Sequence, residues 1–144
     1  MRSPILVLTL AAALLGGCSA EPASYLIAGS EVALTVERIK PNFWSEGWEL
    51  SLVTRRNPEC QRRYALKKTA GNNVKVEVYS PETGVYILRQ GKRWYVTELA
   101  KCGFDTFKDP PPEPGELLGA FQEKAGVFKF VEAGDKTGKS TDSE

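Results

Sequence analysis

The sequence predicts a mainly β protein, a small antiparallel barrel or sandwich of about seven strands with one short C-terminal helix. Apolar side chains recur at every second residue in short runs between residues 32 and 131, the period of half-buried strands. Turns bearing Pro and Gly separate these runs. Helical spacing of apolar residues occurs only after a proline-rich stretch near residue 110.

Residues 19–30 are small and polar, with Pro22 and Gly29, and read as a tether whose Tyr25-Leu26-Ile27 centre docks on the domain. A flexible chain of that length reaches about 20 Å. The first strand sets Val32, Leu34 and Val36 against Ala33, Thr35 and Glu37. Trp48, Leu50 and Leu52 mark the second, Tyr64 and Leu66 the third, and Val74, Val76 and Val78 the fourth. Ser80-Pro81-Glu82-Thr83-Gly84 then turns the chain into Val85-Tyr86-Ile87-Leu88. Gln90-Gly91-Lys92 reverses it again into Trp94-Tyr95-Val96-Thr97-Glu98-Leu99, completing a meander. These last two strands are apolar on both faces, as in the middle of a double-layered or closed sheet. Asp109-Pro110-Pro111-Pro112-Glu113-Pro114 is stiff and extended. Pro114 suits the first turn of a short helix in which Leu117, Leu118 and Phe121 share a face, Glu116 meets the positive N-terminal end and Gly126 stops it. Val127-Phe128-Lys129-Phe130-Val131 is the last strand, and residues 133–144 are expected to be a disordered polar tail.

Arg2, an apolar run from Ile5 to Leu15 and small residues before Cys18 give residues 1–17 the layout of a secretory signal peptide. The run breaks at Gly16-Gly17 after roughly a dozen residues, short of the about 20 that cross a bilayer. Leu15-Gly16-Gly17-Cys18 resembles the lipobox of bacterial lipoproteins. The resemblance implies cleavage before Cys18, a diacylglyceryl thioether on its sulfur and a further acyl chain, commonly palmitate, on its new amine. Two or three such chains hold a small domain on a membrane lastingly. Ser19, where that class uses Asp for retention in the inner membrane, implies the periplasmic face of the outer membrane. Residues 18–30 are then the anchored tether and 31–132 the β-rich domain. Ordinary secretion with cleavage near Ala20 is the alternative.

With Cys18 assigned to lipid, Cys60 and Cys102 remain as a pair. An oxidising compartment favours a disulfide, and closing a loop across 42 positions contributes about 4 kcal/mol in the chain-entropy model. The competing reading, a redox dithiol or metal pair, lacks a C-x-x-C spacing and any histidine.

The 144-residue chain less residues 1–17 leaves 127, the size of one domain. Its formal net charge of +1 does not support whole-protein attraction to nucleic acid. Locally, residues 31–102 carry 13 basic and 8 acidic side chains, whereas residues 103–144 carry 5 and 9. Arg55-Arg56, Arg62-Arg63 and Lys67-Lys68 cluster around Cys60, and a Cys60–Cys102 bond brings Lys101 to them. Convergent guanidiniums grip carboxylate or phosphate in a forked geometry, so Arg55, Arg56, Arg62, Arg63, Lys67 and Lys101 are candidate contacts for an anionic lipid or glycan. Solvent-facing strand ends explain the same residues without a ligand. Phe43 and Trp44, in a turn-rich loop, are candidate contacts for a protein or sugar if exposed, while Trp48 and Trp94 are expected inside. Aromatics alternate with arginine over residues 89–95, but export argues against a nucleic-acid partner.

Without histidine, the common base for a Ser or Cys nucleophile is missing, and no catalytic residue, cofactor or metal is assigned. The expected function is a non-enzymatic envelope accessory or binding module, with the membrane and an envelope protein or anionic lipid or glycan as partners. The alternatives are an inhibitor of a cell-wall hydrolase, on architecture alone, and a binder of anionic lipid or glycan through the basic residues 55–68.

Overall fold

The computed structural model describes residues 19–134; Cys18, residues 1–17 and the expected tail from residue 135 lie outside the described residues. Ten strands follow one another: β1 (Ser19–Ala28), β2 (Val32–Lys40), β3 (Glu49–Arg56), β4 (Cys60–Ala65), β5 (Lys75–Glu82), β6 (Val85–Gln90), β7 (Arg93–Glu98), β8 (Gly103–Thr106), β9 (Glu116–Lys124) and β10 (Val127–Glu132). They form two antiparallel sheets, β1-β2-β3-β4 and β10-β9-β5-β6-β7-β8. The sheets share one core, in which Leu34, Val36, Leu50 and Leu52 of the first meet Val76, Val78, Leu88, Tyr95 and Phe121 of the second. Backbone pairing does not join them into a barrel.

Side chains close the two open sides instead. On one, Tyr25 of β1 packs against Phe130 of β10 with ring centroids 4.6 Å apart. On the other, Cys60 of β4 is bonded to Cys102, just before β8, with a Cα–Cα distance of 5.9 Å. Tyr64 stacks on Phe104 at 4.5 Å there, and its hydroxyl donates to the Cys102 carbonyl. Cys102 is fully buried, so its sulfur is shielded from attack by a thiolate. Between the sheets Thr97 Oγ1 donates to the Gly103 carbonyl at 2.8 Å, which leaves Thr54 as the donor in the 2.8 Å Thr54–Thr97 hydrogen bond.

Three expectations are corrected. The segment expected as a tether is β1, an edge strand paired with β2 from Ser19↔Lys40 onward. Ala23 is buried, and Tyr25 and Ile27 pack against the core, whereas Ser24 and Leu26 face outward; Pro22, which cannot donate to a ladder, is tolerated because β1 is an edge. The expected helix is β9. Tyr79 pairs with Leu117 but Val78 with Gly119, so β9 carries one extra residue, and this bulge shifts the alternation into the spacing of a helix. Gly119 is required there: its φ is +156°, and a Cβ would lie 2.3 Å from the Val131 carbonyl oxygen. The count of about seven rises to ten with β1, β8 and β9.

The proline-rich stretch is a crossover. β8 ends opposite Tyr95, near the start of β7, whereas β9 begins opposite Ser80, near the end of β5, so residues 107–115 connect the edge strand β8 to β9, which lies beyond β7, β6 and β5 in the six-stranded sheet. Four strand spacings of about 4.8 Å and an offset along the strands of two residues at about 3.4 Å make the span about 20 Å. Polyproline-type chain at about 3.1 Å per residue covers it with length to spare. Ile87 is only 5 % exposed on the face opposite the Tyr86 and Leu88 that line the core.

Candidate functional site

Strand register gives the two sheets two distinct ends. The turns after β1, β3, β5 and β7 lie at the disulfide end. At the other end lie Ser19, the 41–48 loop, the 66–74 connection and the turns after β6 and β9, because Ser19 pairs with Lys40, Glu77 with Arg89 and Lys75 with Gln122.

The 41–48 loop is clamped at its base and open at its tip. Trp48 and Thr69 exchange two backbone hydrogen bonds, of 3.2 Å and 3.0 Å. Gly47 has φ +82°, and a Cβ there would sit 1.8 Å from the Thr69 carbonyl oxygen, so only glycine permits this approach. Under the loop lies Arg38, 3 % exposed, on the core-facing side of β2. Its guanidinium carbon is 4.4 Å from the Trp48 ring and 4.7 Å from the Phe128 ring. It donates to Glu21 of β1 and, at 3.0 Å, to Glu123 of β9, tying the edge strand of one sheet to the other sheet. At the tip Phe43 is 90 % and Trp44 70 % exposed, paired edge to face with centroids 4.6 Å apart.

Beside the loop, an open depression of about 570 Å³ is formed by the 66–74 connection, the start of β5 and the turn after β6. Six cationic side chains line it, Lys67, Lys68, Lys75, Arg89, Lys92 and Arg93, with Glu77 the one carboxylate among its lining residues. Glu77 is engaged by the Tyr79 hydroxyl at 2.7 Å, Lys75 at 3.6 Å and Arg89 at 3.8 Å. Burial, and then the bond to Glu77, push the Tyr79 hydroxyl above its ordinary pKa, so it stays a donor. Lys68 pairs with Glu49, while Lys67, Lys92 and Arg93 have no ion-pair partner among the described residues. The Gln90 amide, donating 2.7 Å to the Lys67 carbonyl, joins the two sides of the depression.

The expected arginine cluster is split by the strands that carry it. Arg55, Arg62 and Arg63 line a shallow groove of about 310 Å³ on the outer side of the four-stranded sheet, and Arg63 is taken up by Glu37 and Ser51 at 2.8 Å and 2.9 Å. Arg55 Nε is buried without a hydrogen-bond partner. Arg56 alternates to the opposite side, opposite Val32 in the register, and Arg62, opposite Thr54 on the edge strand β4, still lines the groove with its side chain. Lys101 lies exposed at the disulfide end with Arg56, and Lys67 lies at the other end, so these six side chains do not converge. Phe43 and Trp44 are exposed as the binding reading requires, and Trp48 and Trp94 are half-buried rather than fully interior. Lys75 was legible only as a residue opening a strand, and Arg89, Lys92 and Arg93 as residues flanking a turn within the arginine and aromatic run of residues 89–95.

Among the described residues, no group of three or more His, Cys, Asp or Glu side chains is placed to hold a metal ion. Comparison with known protein families, curated proteins and solved structures finds no match.

Proposed function

We propose that the protein is a lipid-anchored, non-enzymatic accessory or binding module of a bacterial envelope, held on the periplasmic face of the outer membrane through Cys18. The observation that carries this reading is the lipobox-like Leu15-Gly16-Gly17-Cys18 ending one residue before β1, whose Ser19 is already paired with Lys40. An anchor at Cys18 leaves no free spacer, so the fold is held directly against the bilayer. The Cys60–Cys102 disulfide supports an oxidising compartment. The exposed Phe43–Trp44 pair and the open basic depression are shaped for contact with another surface rather than for enclosing a small substrate.

Mass spectrometry of the mature N-terminus tests the anchor: a triacylated Cys18 is expected, and an unmodified first residue refutes it. Crosslinking in intact membranes tests the role, with recovery of an envelope component expected; a purified protein that turns over a cell-wall substrate overturns the non-enzymatic reading.

A further inference from the structure

We propose that the Ser19 end of the domain is itself a binding surface for anionic phospholipid bilayers. Phe43 and Trp44 enter the headgroup layer, and the depression between Lys67 and Arg93 seats over lipid phosphates. The orientation agrees with an anchor at Cys18 and to that extent rests on the preceding reading, but the surface chemistry stands without it.

Three observations converge on this end. A loop tip that leaves two aromatic rings 90 % and 70 % exposed forgoes burial that the core offers elsewhere, and an indole with an apolar body and one N–H donor is the side chain that favours a membrane–water interface. Val127, 58 % exposed at the start of β10, adds apolar surface at the same end. The adjoining depression is cationic and unenclosed, with Lys67, Lys92 and Arg93 carrying no ion-pair partner among the described residues. Lysine and arginine near an anionic leaflet each strengthen binding, whereas a groove for a neutral partner has no use for six cations and one carboxylate. Glu46, exposed in the same loop, opposes the attraction and is outnumbered. The loop base is rigid, clamped through Gly47 and Thr69, so the rings are presented without ordering a mobile segment.

The test uses the mature chain, residues 18–144 carrying Cys18→Ser, which lacks both the apolar run of residues 5–15 and the lipid, so failure of the anchor and failure of this surface read out separately. Flotation with phosphatidylcholine vesicles, with and without phosphatidylglycerol, should show binding only to the anionic vesicles, weakening with salt. Replacing Lys67, Lys92 and Arg93 together by Gln should lower partitioning by about a hundredfold, at roughly fivefold per cation. Phe43→Ala with Trp44→Ala should abolish flotation, and Leu26→Ala, exposed at the opposite end, should leave it unchanged. Lipids brominated near the headgroup should quench the wild-type fluorescence more than that of Trp44→Phe. Equal binding to neutral vesicles, indifference to the triple or the aromatic substitution in proteins with wild-type circular dichroism, or equally tight binding of soluble glycerophosphoglycerol overturns the proposal.

Discussion

Arg38 supplies the sharpest test of how this fold is held together, because its side chain is 4 % exposed while those of its partners Glu21 and Glu123 are 43 % and 47 % exposed. The cost of breaking the triad therefore depends on which member is removed. Replacing both glutamates by Ala strands a guanidinium between Trp48 and Phe128 without a counter-charge, and removing the partners of a buried ion costs about 3–5 kcal/mol. Arg38→Met loses two cation–π contacts of about 1 kcal/mol each and two charge-assisted hydrogen bonds. It also removes the several kcal/mol of desolvation that the buried cation carried, and its two former partners are already half in water. The net cost is about 0–2 kcal/mol, and adding Arg38→Met to the double glutamate variant should recover stability rather than lose more. Urea unfolding followed by tryptophan fluorescence, with the disulfide intact, measures all three. If Arg38→Met is more destabilising than the double variant, or if the triple variant is the least stable, the asymmetry argued from exposure is wrong.

Other perturbations read different parts of the fold. Reducing the Cys60–Cys102 bond, which spans 42 positions, should lower stability by about 4 kcal/mol through the unfolded chain, and an unchanged urea midpoint under reductant would refute this. Thr97→Val leaves both the Thr54 hydroxyl and the Gly103 carbonyl without their buried partner and should cost about 2–3 kcal/mol, against about 1 kcal/mol for Thr54→Val; equal costs would contradict the assigned donor direction. Glu98 accepts from the backbone N–H groups of Lys101 and then Gly103, which hold its pKa below the ordinary carboxylate value. A lowered folded-state pKa gives stability that is fully present above the unfolded value and is lost as pH falls through the folded one. Glu98→Gln should therefore destabilise at neutral pH, with the gap to wild type closing in acid; a gap independent of pH would remove the carboxylate from the account.

The core was legible where strands have one wet face. Leu34 and Val36, Leu50 and Leu52, and Val76 and Val78 alternate cleanly and are buried as the period requires. Legibility failed where a tertiary neighbour changed the rule. β1 has only Ala23, Tyr25 and Ile27 on its inward side and reads as polar linker until β2 pairs with it. β9 lost its alternation to a bulge that makes sense only beside β5 and β10. The double-sided apolar character of β6 and β7 was visible in the sequence, and Ile87 is buried on the outer face accordingly.

Charge followed the opposite logic to burial. Arg55 and Arg56 are adjacent in the chain and lie on opposite faces of β3, as residues of a pleated strand must, so a dense run of cations in a strand disperses on folding. Lys67 is far in the chain from Arg89 and Arg93, which flank a single turn, but all three share one end of the sheets, because antiparallel reversal returns every second connection to the same side. In a protein of this topology the surface that can act as a unit is assembled from alternate turns. The connection and turn that form the depression lie beside the 41–48 loop, with the Trp48–Thr69 backbone bonds joining loop to connection. That coupling makes the aromatic tip and the cationic depression parts of one surface, beginning two strands away from Ser19 in sequence and next to it in space through Lys40.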